Sequence, residues 1–238
     1  MISLAIGSDT SGGSVEFFHA IVGTNLLSVD QDNWTVDVYV EVEPGSRVDA
    51  VAGNSAQEKM ITSTYGFYQD PSGGPTSGSI NPNFYEFDAD LEWDSRVTIG
   101  CIDATGNPYP ENNLQNIGIN WTNFENGDDL SATDNGIWFH LPTDPAGAAM
   151  MYTNSDCVQE QGVLLARLTV LGQDSEVGFA ALVQGRDAAD NISAADLDSL
   201  LALRDHGVDM SAQRTSQLRF HAHLYATATP GHGPLEGV

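Results

Sequence analysis

At 238 residues, 41% of them hydrophobic, the chain is long enough to bury a real core and too apolar to read as disordered. Its 33 Asp and Glu against 8 Lys and Arg give a net charge of −25, which argues against nucleic acid and anionic membranes as partners. The acidity leaves three readings open: a salt-adapted surface, simple solubility, or carboxylates gathered for Ca²⁺.

The N-terminal stretch 1–13 lacks a basic region, and its apolar run is too short for a signal peptide. No apolar run approaches the ~18 residues a membrane-spanning helix requires. Val15 to Val22 reads as a first strand carrying an aromatic pair. Trp34 to Val42 (WTVDVYVEV) is the clearest strand, with Trp34, Val36, Val38, Val40 and Val42 on one face. Thr35, Asp37, Tyr39 and Glu41 fall on the other, which the alternation predicts to be wet. Further strands are predicted over Arg47 to Ala52, Phe84 to Trp93, Val97 to Ile102, Ile117 to Trp121 and Ile137 to Leu141. Val163 to Val170 and Val177 to Val183 read as an adjacent pair joined by the polar turn Gly172 to Ser175. Three long turn-rich stretches, 70–82, 106–113 and 126–136, interrupt the pattern and are natural carriers of function.

One helix is predicted near the C-terminus. Ser193 can cap it, Asp196 takes the capping-box position, and Leu197, Leu200, Leu201 and Arg204 follow at helical spacing before Gly207. This places a helical crossover at about 193–206 ahead of a last strand, Gln217 to Thr227. The expected architecture is all-β: a single domain over 1–238, built as a two-sheet β-sandwich or jelly roll with one short helix. A closed barrel is the alternative.

Several constellations carry potential chemistry. The loop 126–136 concentrates oxygen ligands, and Asp128, Asp129, Asp134 and Asn135 are its candidates for Ca²⁺; a solvated turn needs the same residue types. A second stretch, with Asp187, Asp190 and Asp196, resembles a calcium loop of the EF-hand kind but lacks too many ligands, and capping accounts for Ser193 and Asp196. His221 and His223 share a strand face and would need a third ligand from elsewhere to hold a metal. Cys101 and Cys157 allow one disulfide or two buried thiols, either of which outranks a nucleophile. Asn33, Asn120 and Asn191 lie in glycosylation sequons. Tyr65, Tyr68 and Tyr85 flank the 70–82 loop and are candidates for stacking on sugar rings, with core packing as the plainer reading. No G-x-S-x-G elbow or phosphate-binding loop is present, and the chain reads as non-enzymatic.

Three segments carry a family resemblance: FYQDPSGG…INPNFYEFDADLEWDSRVTIG, NGDDLSATDNGIWFHLPTDPAG and GVLLARLTVLGQDSEVGFAALVQGRD. Across roughly residues 34–187 the chain resembles a cohesin-like sandwich module of secreted and surface proteins of planctomycete-type marine bacteria and unicellular algae. Its most specific pieces are Leu91 to Ser95 with Val97 to Gly100, and the Asp-rich loop leading into Ile137, Trp138 and Phe139. The resemblance implies an extracellular or cell-surface scaffold or adhesion role, with other protein subunits as partners and no catalysis. It assigns no functional residues. A carbohydrate-binding module with glycans as partners, and a structural protein of a virion or other assembled particle, are the alternatives. A carboxylate-dependent glycan hydrolase ranks last.

Overall fold

A computed structural model of the chain describes residues 5–6, 17–53, 59–132, 136–186, 188 and 218–227. They build two antiparallel sheets facing each other across one core, the expected all-β sandwich. The strands are β1 Ala5–Ile6, β2 Phe17–Thr24, β3 Asn33–Glu41, β4 Arg47–Ala52, β5 Lys59–Ser63, β6 Arg96–Val97 and β7 Gln115–Ile117. They continue with β8 Leu130–Ala132, β9 Ile137–Phe139, β10 Met150–Thr153, β11 Gln159–Leu171, β12 Glu176–Arg186 and β13 Leu218–Thr227. The first sheet runs β1-β13-β12-β4-β9-β7, with β5 also pairing β12, and β8 pairing β5. The second runs β10-β11-β3-β2, with β6 beside β11.

The inward row of β3 is as the alternation predicts: Trp34, Val36, Val38 and Val40 are fully buried. Each such side chain removed from water contributes about 1.5–3 kcal/mol. Opposite them, β11 presents Val163 and Leu165, then Ala166, Leu168 and Val170. The inward set changes phase because the β3–β11 register shifts between Leu164 and Ala166. One extra residue in β11 lets an apolar run keep its core face on both sides of the bulge. Val177, Phe179, Ala181 and Val183 of β12 close the core from the first sheet.

β11 and β12 are not a hairpin. Val163 to Val170 lies in the second sheet and Val177 to Val183 in the first, so the turn Gly172 to Ser175 crosses between layers. Gly172 makes the corner at φ +84°, a conformation glycine adopts without strain.

Of the outer face of β3, Glu41 at the strand end is exposed as expected, but Thr35, Asp37 and Tyr39 are buried. Trp93 and Ser95, from the segment that follows β5, lie against Arg167 and Thr169 of the neighbouring β11, and Phe18 and Tyr152 pack on Tyr39. Within that segment, Phe84 to Trp93 forms 3-10 turns (Pro82–Phe84 and Ala89–Trp93) rather than the predicted strand. Asn81 starts the first turn: its Oδ1 accepts the Asn83 N–H at 3.1 Å, and Pro82 occupies the first helical position. The predicted strand Val97 to Ile102 shortens to β6. The predicted Ile117 to Trp121 stops at Ile117, after which Trp121 leads into the four-residue helix α1 Thr122–Glu125.

From the other side, the β10–β11 hairpin curls across the same face. Tyr152 packs on Tyr39 at 4.3 Å between ring centroids. At the hairpin tip Ser155 reaches the edge of β2, where its Oγ accepts the Ile21 N–H at 2.9 Å and its own N–H donates to the His19 carbonyl at 3.1 Å. That contact blunts an edge otherwise open to pairing with another chain.

In β13 the register sets Phe220, Ala222, Leu224 and Ala226 opposite the core positions Val183, Ala181, Phe179 and Val177. The helical crossover predicted at 193–206 lies outside the described residues. Among the described residues, no helix is long and apolar enough to cross a membrane.

Candidate functional site

The covered outer face of the second sheet encloses a polar seam. Asp37 and Arg167 face each other across β3 and β11, and Arg167 donates from Nε and Nη2 to the two Asp37 carboxylate oxygens, both at 2.8 Å. The Tyr39 hydroxyl donates to Asp37 Oδ2 at 3.3 Å, and the Arg167 guanidinium lies 5.8 Å above the Trp93 ring. Burial alone would lower the Arg167 pKa, but Asp37 outweighs it and holds the guanidinium above its ordinary value. One step along the ladder, the Thr35 and Thr169 hydroxyls pair at 2.7 Å.

Arg96 lies deeper, only 1% exposed. It donates to three backbone carbonyls: Nε to Ile102 at 2.9 Å, and Nη1 to Glu92 at 3.1 Å and Asp94 at 2.7 Å. Burial, then the like charge of Arg167, pushes its pKa down to about 10. The Asp94 carboxylate accepts the Asp70 N–H at 2.6 Å and the Gly74 N–H at 2.9 Å, pinning the 70–74 turn. Only glycine fits at 73, where an added Cβ would lie 2.1 Å from Asp94 Oδ2. Burial drives the Asp94 carboxyl up to about 7 against the pull of those two amides and of Arg96; Glu125 of α1 pushes it further up.

The sequence-predicted residues scatter around this seam. Tyr65 is 59% exposed and offers a free ring face. Tyr68 turns its hydroxyl to Asp70 Oδ2 at 2.9 Å, and the Tyr85 hydroxyl is buried without a partner. The three tyrosines therefore do not form one exposed strip; two of them serve the interior. Asn33 is buried, its Oδ1 accepting the Leu26 N–H at 3.0 Å and its Nδ2 donating to the Gln31 carbonyl at 2.8 Å, which leaves no room for a glycan. Asn120 is exposed. Asn191, Asp134, Asn135, Asp187, Asp190 and Asp196 lie outside the described residues, and β13 is described as backbone only, His221 and His223 included.

Asp128 and Asp129 are exposed, and Asp129 Oδ1 accepts the Ser63 N–H at 2.9 Å. At the far end of that loop the buried Lys59 ammonium donates to the Gly136 carbonyl at 2.9 Å. Of the four candidates in this loop, Asp129 is engaged by the Ser63 amide and Asp128 is exposed, while Asp134 and Asn135 are not among the described residues. Among the described residues, no group of three or more His, Cys, Asp and Glu is placed to hold a metal ion.

Cys101 and Cys157 do not pair. Cys101 is buried against the core and Cys157 is exposed at the β10–β11 tip, so both thiols are free. The fold also brings His140 and Asp144 into the Cys101 neighbourhood, which sequence separation hid. His140 Nε2 lies 3.1 Å from the Ile99 carbonyl, and Nδ1 lies 3.3 Å from Asp144 Oδ2. Both ring nitrogens are thus directed away from the thiol, and burial followed by Asp144 and Asp103 pushes Cys101 up to about 12. A protonated thiol without a base is a core side chain, not a nucleophile. In the native chain, a thiol reagent is expected to label Cys157 rapidly and Cys101 only on unfolding. Absence of any fast-labelling thiol would restore the disulfide.

The described cations are spent internally. Of the five cationic side chains described, Lys59, Arg96 and Arg167 are buried, while Arg47 and Arg186 share Asp49 at 2.5 and 3.2 Å. The described surface is therefore almost purely acidic. Its boldest apolar feature is one turn: the Phe87 N–H donates to the Phe84 carbonyl at 2.9 Å, with Phe84 51% and Phe87 85% exposed.

No family model matches the chain, and neither the curated proteins nor the solved structures contain a match to it.

Proposed function

We propose that the chain is a non-catalytic structural or adhesion module that works outside the cell through its surface. The observation that carries this reading is the division of polar groups. The buried charged groups Asp37, Arg167, Arg96 and Asp94 are engaged with one another or with backbone groups, and the exposed shell is acidic around a pair of exposed phenylalanines. Contiguous exposed apolar surface rimmed by polar residues is a mark of an interaction site. The resemblance to cohesin-like modules supports the same reading and suggests other protein subunits as the partners.

Electron microscopy of the chain in its native setting is the direct test. The expected image places it in a surface layer, a filament or a shell. A free monomer that releases reducing sugars from glycans would overturn the proposal, and glycan binding lost on Tyr65→Ala would replace it with carbohydrate recognition.

A further inference from the structure

Resting on that surface-acting reading, we infer that the Phe84–Phe87 turn is a docking knob for a protein partner that offers an apolar socket rimmed by Lys or Arg.

The knob is built to stay in place. Ser28 ties the neighbouring 28–30 turn to the segment, its N–H donating to Asp90 Oδ1 at 2.8 Å and its hydroxyl to Oδ2 at 2.5 Å. Val29, 46% exposed, sits on that tied turn. From beneath, Tyr85 sends its hydroxyl into the interior, and the Asp88 N–H closes onto the Phe84 carbonyl at 2.9 Å. The main chain that carries the two rings is fixed in this way, so contact through them has little backbone left to order.

Charge selects the occupant. Glu86 is exposed beside the rings, Asp88 is half-buried, and Asp30 is exposed on the adjoining turn. No described cation relieves them, since all five are buried or bound to Asp49. A second copy, with net charge −25, would bring a like-charged surface to this collar and be repelled. A cationic rim around an apolar pocket complements both parts of the knob.

The test pans a phage library of random linear peptides against the whole chain, then measures the enriched peptides on wild type and on Phe84→Ser/Phe87→Ser. Both rings are exposed, so the variant is expected to keep the wild-type melting temperature. The enriched peptides should pair aromatic or aliphatic residues with Lys or Arg, and should lose at least about tenfold in affinity on the variant. Affinity should also fall as salt rises from about 0.01 M to about 1 M, where the screening length drops from about 30 Å to about 3 Å. Peptides that bind the variant as well as the wild type would overturn the knob while leaving the surface-acting reading intact. Enrichment of neutral or acidic peptides would overturn the partner chemistry. So would self-association at high salt that is abolished by the double substitution, which would make the occupant a second copy.

Discussion

Asp37→Ala is expected to lower stability by about 3–5 kcal/mol in equilibrium urea unfolding, because it strands Arg167 in a covered seam. The carboxylate it deletes accepts both Arg167 bonds and the Tyr39 hydroxyl. Arg96 lies close enough for its charge to act on Arg167, so the variant leaves two guanidinium groups in one interior with a single counterion fewer. Arg167→Ala should cost a similar amount for the opposite reason, an uncompensated Asp37. The informative comparison is Asp37→Leu with Arg167→Met. Replacing both charges by apolar side chains of similar length removes the desolvation penalty together with the attraction, and such swaps are often neutral or better. The double variant should therefore lie within about 2 kcal/mol of wild type, well above either single variant. An Asp37→Ala cost under about 1 kcal/mol would show that water screens the pair and that the cover over β3 is loose.

That pair also marks where the sequence stops being legible. The row Trp34, Val36, Val38, Val40 declared its own burial through alternation. Its opposite row, Thr35, Asp37 and Tyr39, looked solvent-facing because nothing within β3 says what lies above it. The covering segment begins some thirty residues later, and Arg167 pairs with Asp37 across a separation of 130 positions. A usable signal did exist at the far end: Arg167 is the lone charge in GVLLARLTVL, and a single charge within a strand apolar on both faces implies a buried partner. Arg96, between Ser95 and the run Val97, Thr98, Ile99, carries the same signal.

Turn chemistry explains the remaining departures. Phe84 to Trp93 alternates well enough to suggest a strand, but Asn81-Pro82 upstream is a helical start, and local capping overrode the period. Four polar residues between β11 and β12 suit a hairpin and a crossing between sheets equally, since periodicity describes faces and not which sheet a strand joins. The exposed knob is the least legible feature. Phe84 and Phe87 are core types by composition, and only the covering of the sheet by Tyr85 and Trp93 pushes them outward.

The second large effect is a rise in stability as pH falls from about 8 to about 5, carried by Asp94. Its carboxyl is raised from 3.8 to about 7 by burial, opposed by the Asp70 and Gly74 amides and by Arg96 and reinforced by Glu125. The folded state therefore holds this proton more tightly than the unfolded chain does. The stabilisation is complete below pH 3.8 and is lost as pH rises through about 7. At 1.36 kcal/mol per pKa unit the full effect is about 4 kcal/mol, of which roughly 2–3 kcal/mol is recovered by pH 5. Glu125, also raised by burial, acts in the same direction. His19 and His140, both lowered by burial, act in the opposite one as the unfolded chain protonates below pH 6.5. Asp94→Asn separates these contributions. It stays neutral at every pH and has one oxygen for two amide donors, so it keeps the histidine and bulk-charge dependence while losing the Asp94 share. The stability gap between wild type and Asp94→Asn should widen in favour of wild type as pH falls from about 8 to about 5. A gap that stays constant would mean that the two amides at 70 and 74 keep Asp94 ionised throughout, and that burial is not the stronger influence on it.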